Sequence, residues 1–303
     1  MSRPLDRLTL LETFARIAER GSITAAGRDL GLSQASASRQ LKELEDRLGA
    51  QLVRRTTHDL SLTPAGREVL QEARTLIAGW QAFEERHGAP DREAKGRMKI
   101  VAPIALGQLH LADIALRFQL DHPGVTIDWH LDDEPVRFAE IGCDCWIKVG
   151  PVPDDTLILR ALGRVERLLV AAPALVASRW PKTPKEVAAL PCAALDPFEG
   201  GQIGLTSKTG KAARIAPEVR ISTNNIFALQ RAALLGLGFA VLPRWFVEAD
   251  LAAGRLVDLL PAWRAATLSI NVAYLPARHQ PMRLTLFLEA LASGVAAIPG
   301  IDP

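Results

Sequence analysis

The stretch SQASASRQLKELEDRL, Ser33 to Leu48, sets out its interacting groups at the spacing of one helix. Ala37, Leu41, Leu44 and Leu48 recur at helical intervals and predict a narrow buried stripe. At about 100° per residue, Ala35, Ser36, Arg39, Lys42, Glu43 and Asp46 turn the other way. The first half of that outer face is small and hydroxylated, so it can approach a surface closely. Arg39, or Gln34 from the first turn, can supply the bidentate hydrogen bonds that tell base pairs apart in a major groove. Glu43, Glu45 and Asp46 gather in the second half, where phosphate would repel them, so the helix is expected to enter by its first turns. Ser33, Gln34, Ala35, Ser36, Ser38 and Arg39 are the expected residues at the base edges, and Lys42, Arg54, Arg55 and Thr56 the expected phosphate contacts.

Such a helix needs a scaffold, and its neighbours predict one. Leu8, Leu11, Ala15 and Ala18 form an earlier helical stripe, which Gly21 stops. Ser22 caps a short second helix, ITAAGRDL, whose Ala25 and Ala26 permit close packing. Gly31-Leu32 makes a tight turn and Ser33 caps the third helix, completing a helix-turn-helix. AQLVRRTTHDLSLT then places β-formers around the polar break His58-Asp59, which predicts a hairpin, or wing. Thr63 caps a further helix and Pro64 opens it. Within it Val69, Ala73, Leu76, Trp80 and Phe83 make a heptad-like seam, expected to pair with a second copy of the chain. Pairing would double the reading helix and suit a partly palindromic duplex site. Gly88-Ala89-Pro90 and the charged DREAKG end this helix in a hinge.

From Arg97 strand and helix signals alternate, the mark of an α/β unit. MKIVAP reads as a buried strand, followed by a helix that His122-Pro123-Gly124 stops. Val125, Ile127, Trp129 and Leu131 alternate as a strand with one buried face, and PVRFAEI leads to the strand CDCWIKVG. RLLVAAP, PALVAS, EVRIS, IFALQRAALLGLG and FAVLP read as strand, helix, strand, helix and strand. LSINVAY and the amphipathic PMRLTLFLEALAS are expected to return to the first unit. That leaves two lobes with a cleft between them, joined by crossover strands near residues 158–162 and 266–270.

A 303-residue chain with 48% hydrophobic and 23% charged residues has room for two or three soluble domains. Its 36 basic and 34 acidic residues leave a net charge of only +2, so any nucleic-acid binding must rest on a local patch. The opening MSRPLDRL and the lack of a long apolar run predict a cytoplasmic protein with no membrane partner. Cys143-Asp144-Cys145 puts two thiols on one face of a strand, the spacing of a redox pair. Cys192 is the only other thiol, however, and cysteine commonly serves as a small buried hydrophobe. His130-Leu131-Asp132-Asp133-Glu134 reads as an exposed turn, and Gly236-Leu237-Gly238 as the end of a helix. There is no nucleophile elbow, phosphate loop or paired His-Glu zinc motif. No catalytic residue, metal or cofactor is therefore expected, and the chain does not read as an enzyme.

Residues 5–67, above all SITAAGRDLGLSQASASRQLKELEDRLGAQLVRRTTHDLSLTPAG, resemble the winged helix-turn-helix of LysR-type transcriptional regulators. Val53 stands where that family commonly has phenylalanine. The run from GRMKIVAP through CDCWIKVG and GLGFAVLP to LAAGRLVDLLP is similar to the family's effector-binding region, which has a periplasmic-binding-protein-like fold. The resemblance implies an α+β multidomain chain. Residues 1–63 would form the winged domain, 64–88 the linker and dimerisation helix, and 89–96 a hinge. Residues 97–303 would bind the effector, with lobe I at 97–160 and 267–303 and lobe II at 161–266. It also implies DNA binding as a homodimer or dimer of dimers, control by a small molecule, and RNA polymerase as a further partner to consider.

In such sheets ligands sit beyond the carboxyl ends of the strands. Those positions are Pro103, Ile104 and Ala105 with Lys148 and Gly150 in the first lobe, and Thr223, Asn224 and Asn225 in the second. The family often has a hydroxyl in the first of these loops, where this chain has none before Gly107. A hydrophobic or aromatic effector is expected instead of a simple carboxylate. The alternative is a small-molecule-binding protein or enzyme in which the amino-terminal helices serve only for dimerisation.

Overall fold

The computed structural model describes residues 6–55, 60–87, 93–136, 138–196, 201–277 and 279–302. Helices α1 (Arg7–Arg20), α2 (Ile23–Asp29) and α3 (Gln34–Leu48) share one apolar core with the antiparallel hairpin β1 (Val53–Arg55) and β2 (Leu60–Leu62). This is the expected winged helix-turn-helix, but α1 buries a broader stripe than its spacing suggested. Leu10, Phe14 and Ile17 are at the centre with the expected Ala15, and Leu8, Leu11 and Ala18 lie half-buried on the flanks. The reason is that α1 packs against α2, α3 and α4 together and covers a broader face than one partner would. Leu48, expected in the buried stripe of α3, is 49% exposed because the last turn runs past the core.

Helix α4 (Pro64–His87) leaves the winged unit with Leu70 and Ala73 buried and Ile77 packed against the same core. Thr56, the His58-Asp59 turn and residues 89–92 of the expected hinge lie outside the described residues.

The remainder is built, among the described residues, on a ten-stranded mixed sheet and a separate two-stranded parallel sheet. Strand β3 (Gly96–Ala102) leads into a continuous helical run. It comprises α5 (Ile104–Leu106), a wider turn at Gly107–Leu111, and α6 (Ala112–Asp121). Then come β4 (Val125–Leu131), α7 (Phe138–Ile141), β5 (Cys145–Val149) and the long β6 (Ile158–Ala171). The second lobe contains α8 (Pro184–Ala188), β7 (Cys192–Leu195), β8 (Ile203–Ser207), β9 (Ala212–Ile215) and β10 (Val219–Thr223). It continues with α9 (Ile226–Leu234), β11 (Ala240–Pro243), α10 (Arg244–Ala252) and β12 (Val257–Asp258). Strand β13 (Trp263–Tyr274), α11 (Met282–Ala296) and β14 (Ile301–Asp302) complete the chain.

The strands run in the order β11-β6-β13-β5-β3-β4, with β3 parallel to both β4 and β5. The expected crossovers are the long antiparallel pair β6 and β13, and α11 returns to cover β3 in the first lobe. PALVAS, expected as a helix, forms only a single tight turn at Pro173–Val176.

The two neighbouring thiols are both buried but do not share a face. Cys145 packs into the first-lobe core, while Cys143 joins Val101, Phe138 and Trp146 on the other side. Strand β5 begins only at Cys145, so the period-two rule does not reach Cys143. Burial pushes the Cys143 and Cys192 thiols up, Cys192 to about 12, which favours their protonated form.

Candidate nucleic-acid interface and effector cleft

Helix α3 is held from behind so that its front stays free. Ala37, Leu41 and Leu44 are buried, and between them Gln40 turns inward to accept a 2.5 Å hydrogen bond from the Thr13 hydroxyl of α1. The stripe reading missed this polar pair; a glutamine one residue before a core leucine is the only sequence signal for it. At the amino end the Ser33 hydroxyl accepts from the Ser36 backbone N–H at 3.1 Å. Ser33, Gln34, Ala35, Arg39 and Lys42 are exposed, and Ser36 and Ser38 half-buried. Arg39 Nη2 stands 3.5 Å from the Ser36 hydroxyl, which inclines the guanidinium toward the first turn. The expected base-edge residues thus share one open surface.

Glu45 plays a part the sequence did not suggest. Its carboxylate accepts the backbone N–H of Leu52 at 2.8 Å and of Val53 at 3.3 Å, which fixes the hairpin against α3. The hairpin brings Arg54, opposite Ser61, to an exposed position, and Arg55 pairs with Leu60 in the ladder. The Thr63 hydroxyl closes the unit by donating to the Gln51 carbonyl at 2.7 Å and accepting from the Gly66 N–H at 2.9 Å. An added methyl at Gly66 would overlap the Leu52 carbonyl oxygen, so no larger residue fits where α4 crosses the wing.

Along α4 the heptad-like seam divides. Ala73 is enclosed by its own chain and Val69 is half-buried on the core, whereas Leu76, Trp80 and Phe83 are 59%, 47% and 45% exposed. Trp80 and Phe83 stack with ring centroids 5.5 Å apart.

At the lobe junction Pro103 and Ala105 are buried, and Ala105 packs with Leu168, Val170 and Leu229 of the second lobe. The Ile104 N–H, which opens the helical run, donates to the Asp133 carboxylate at 3.0 Å. The Lys148 ammonium donates to the Asp133 carbonyl at 2.7 Å and lies 5.8 Å from the Trp146 ring centroid. The turn after β4, expected to be merely exposed, therefore places a carboxylate on a helix start. Gly150 is buried, its N–H donating to the Ser269 carbonyl at 2.8 Å.

Across the junction two acceptors of the polar wall are turned onto its own backbone. Asn225 caps α9, its amide oxygen accepting from the Phe227 N–H at 3.0 Å and the Ala228 N–H at 3.2 Å. Asparagine just before a helical run is a capping signal that the reading passed over. The Thr223 hydroxyl accepts from the Asn225 N–H at 3.1 Å, and Asn224 is exposed. Trp245 of α10 packs with apolar residues of both lobes and meets the His110 ring edge-on at 5.3 Å. Burial holds that imidazole below its usual value.

Comparison with known proteins follows the same division. The model of the lysR-family bacterial regulatory helix-turn-helix protein matches residues 8–67, and that of the LysR substrate binding domain matches residues 91–296. The HTH-type transcriptional regulator PtxR of Pseudomonas aeruginosa is 30% identical, covering 99% of this chain and 98% of its own length. The full-length structure of the virulence activator AphB of Vibrio cholerae superposes with a TM-score of 0.59 at 25% identity, covering 95% of this chain and 99% of that one. LysG of Corynebacterium glutamicum, solved with bound effector Arg, shares the fold with a TM-score of 0.63 at 20% identity, covering 98% of this chain and 100% of that one.

Proposed function

The chain belongs to the LysR family of bacterial transcriptional regulators, and from that premise we propose how its surfaces divide the work. It is a DNA-binding regulator with an effector-binding region, and the enzyme alternative is not favoured. Residues 1–63 read the duplex. Residues 64–88 pair two chains, 89–96 form a hinge, and 97–303 sense a small molecule.

In this reading α3 enters the major groove by its first two turns. Gln34 and Arg39 make the discriminating contacts, with Ser33, Ala35, Ser36 and Ser38 close to base edges. Lys42, Arg54 and Arg55 neutralise phosphates, and the Thr56 hydroxyl donates to one. The observation that carries this is the exposed face from Ser33 to Lys42, backed by a fully buried opposite face and by the wing that Glu45 ties to it. A second copy of the chain covers Leu76, Trp80 and Phe83, which sets two reading helices on a partly palindromic operator. Exposed Leu109, Leu116 and Leu120 of the first lobe and Leu235 and Leu237 of the second offer further apolar area for a dimer of dimers. The cytoplasm follows as the working compartment, and RNA polymerase as a neighbour on promoter DNA. Among the described residues, no helix is long and apolar enough to cross a membrane.

The effector sits between the lobes, at Pro103, Ile104, Ala105, Lys148 and Gly150 on one side and Thr223, Asn224 and Asn225 on the other. Asp133 already occupies the Ile104 N–H, and the Asn225 amide oxygen is taken up by α9, which supports an apolar or aromatic effector over a small polar acid. Random-oligonucleotide selection, with and without candidate metabolites, tests the whole reading. An enriched, partly palindromic sequence is the expected result. No preference for any sequence overturns DNA recognition by α3.

A further inference from the structure

The winged unit rests on the first lobe of its own chain at two points. Asp29, at the end of α2, lies 3.9 Å from Arg97 near the start of β3, and Arg97 is itself held by a two-point ion pair with Asp128 of β4. The second point is α4 on α7. There the Arg74 guanidinium covers Gly142 so closely that a Cβ on that residue would overlap it, and Gly142 also lies at φ +64°. Glycine is thus required twice, by the turn and by the side chain above it. Glu19 of α1 stands 3.8 Å from the same guanidinium. Elsewhere a cavity of about 370 Å³ keeps parts of the two surfaces apart. A contact this narrow and polar is of the kind that lets domains of one chain move against each other.

The ground under Arg74 is tied to the rim of the interlobe cleft. Gly142 follows α7, while Asp133, which takes the Ile104 N–H at the cleft, precedes α7 by a few residues. Beyond Gly142 the chain is clasped to β3. The Asp144 N–H donates to the Lys99 carbonyl at 2.8 Å, and the Asp144 carboxylate accepts the Lys99 N–H at 2.8 Å. The Lys99 ammonium donates to the Ile141 carbonyl at 2.8 Å, which brings the end of α7 into the clasp. Buried Arg283 of α11 donates to the Arg97 carbonyl at 3.1 Å and faces Asp144 at 3.6 Å. From here β3 runs to Pro103 and Ile104, and β5 to Lys148 and Gly150. Lys148 then returns to the Asp133 carbonyl at 2.7 Å. Clasp and rim are therefore opposite ends of α7, β3 and β5, which Phe138 joins by packing against Val101 and Trp146.

We propose that the joint of α4 on α7 is the route by which the cleft and the reading helix bias each other, with Arg74 as the positioning residue that couples them. A ligand that shifts the Asp133–Lys148 rim tilts α7, and with it the glycine on which Arg74 rests, so the winged unit follows. The carrier is a contiguous set of hydrogen bonds and rigid elements. The face from Ser33 to Lys42 stays open while the unit is docked, so docking sets the angle of α3 and does not mask it. This coupling rests on the interlobe reading of the effector site, and by linkage it runs equally from DNA to the rim.

Reciprocity allows a test that needs no effector, with the duplex recovered by random-oligonucleotide selection as the probe of the full-length chain. Its binding is expected to change hydrogen exchange at Ile104 and in α7 and β5 as well as in α3. Arg74→Gln should abolish the remote change while the duplex still protects α3, and Arg74→Lys should restore part of it. Asp29→Asn, at the outer contact, should reduce it without disturbing a buried group. In duplex affinity, the combined effect of Arg74→Gln and Asp133→Ala should fall short of the product of the two by about threefold or more, because both break one route. Duplex protection confined to the winged unit of the parent, a full remote response in both joint variants, or effects that simply multiply would overturn the coupling. Each of these would leave the interlobe effector reading to its own test, a small molecule that protects residues 103–105 and 223–225. Failure of that test with the remote response intact would remove the effector reading and leave the joint standing.

Discussion

The reading helix and the lobe junction treat their polar groups in opposite ways. On α3 the groups that hold the element are buried or turned backward, as with Gln40 on Thr13 and Glu45 on the wing. The outward Gln34, Arg39 and Lys42 remain exposed. At the lobe junction acceptors are turned onto the chain's own backbone: Asp133 caps Ile104, the Asn225 amide oxygen caps α9, and the Thr223 hydroxyl accepts from the Asn225 N–H. An interface for a polyanion needs unspent donors held in register. A pocket for an apolar molecule needs its own donors and acceptors already paired, because burying them unpaired is costly.

The sharpest way to break this contrast is to loosen the winged unit alone. Gly66→Ala forces a methyl into the Leu52 carbonyl, which is backbone and cannot swing aside. Overpacking of this kind should cost about 3 kcal/mol. Hydrogen exchange should show α3 opening while the sheet of the effector region keeps its protection, and operator binding should fall with it. Next in size, Arg39→Ala is expected to cost ~1–3 kcal/mol in operator affinity and to relax preference at one base position, read by competitive selection. Arg54→Ala should instead weaken all sequences alike and lower the salt slope by about one unit.

The difference between the regions also explains what the sequence made legible. The winged unit is specified locally. Ser22, Ser33 and Thr63 are capping residues next to the helices they start, and the seam of α4 is visible as a repeat. The lobes depend on contacts far apart in the chain, yet the crossovers were readable from the strand patterns RLLVAAP and LSINVAY, which overlap β6 and β13. The polar pairs were hidden. Thr13 meets Gln40 across 27 positions and Ile104 meets Asp133 across 29, and neither spacing carries a periodic signal. Cys143 was misplaced for a similar reason, since strand alternation was extended into a turn whose Gly142 lies at φ +64°. Arg74 packs so closely over that glycine that a side chain there would collide with it, a constraint set by α4 and invisible near residue 142.

Asp133→Ala would test the other half of the contrast, with a smaller effect on stability. Freeing the Ile104 N–H should cost about 1 kcal/mol, as loss of a capping side chain does. If the junction excludes small acids because its own carboxylate is already there, the variant should gain affinity for them by titration calorimetry while its affinity for an apolar effector holds. A variant that binds acids no better than the parent would show that shape, and not the occupied N–H, sets the preference.

The smallest expected effect separates the halves by the sign of their response to pH. Desolvation would raise Glu166, but hydrogen bonds from Arg264 and Arg244 outweigh it and hold this carboxylate below its usual range. A lowered folded value contributes stability above the unfolded value of about 4.3 and loses it as pH falls through the folded one. Glu12 in α1 is raised, first by burial and then by Asp6 and Glu84. Its contribution is complete below the unfolded value and is lost as pH rises through the folded one. Five of the six tryptophans, all but Trp80, lie in the effector half, so their fluorescence reports its melting, while hydrogen exchange of α3 reports the winged unit. Glu166→Gln should lower the fluorescence melting temperature at neutral pH and flatten its acid dependence. Glu12→Gln should slow α3 exchange at neutral pH and leave it unchanged in acid. The same pH slope in both halves would mean that the charges of the joint between them, Arg97 with Asp29 and Arg74 with Glu19, couple the two units into one cooperative body.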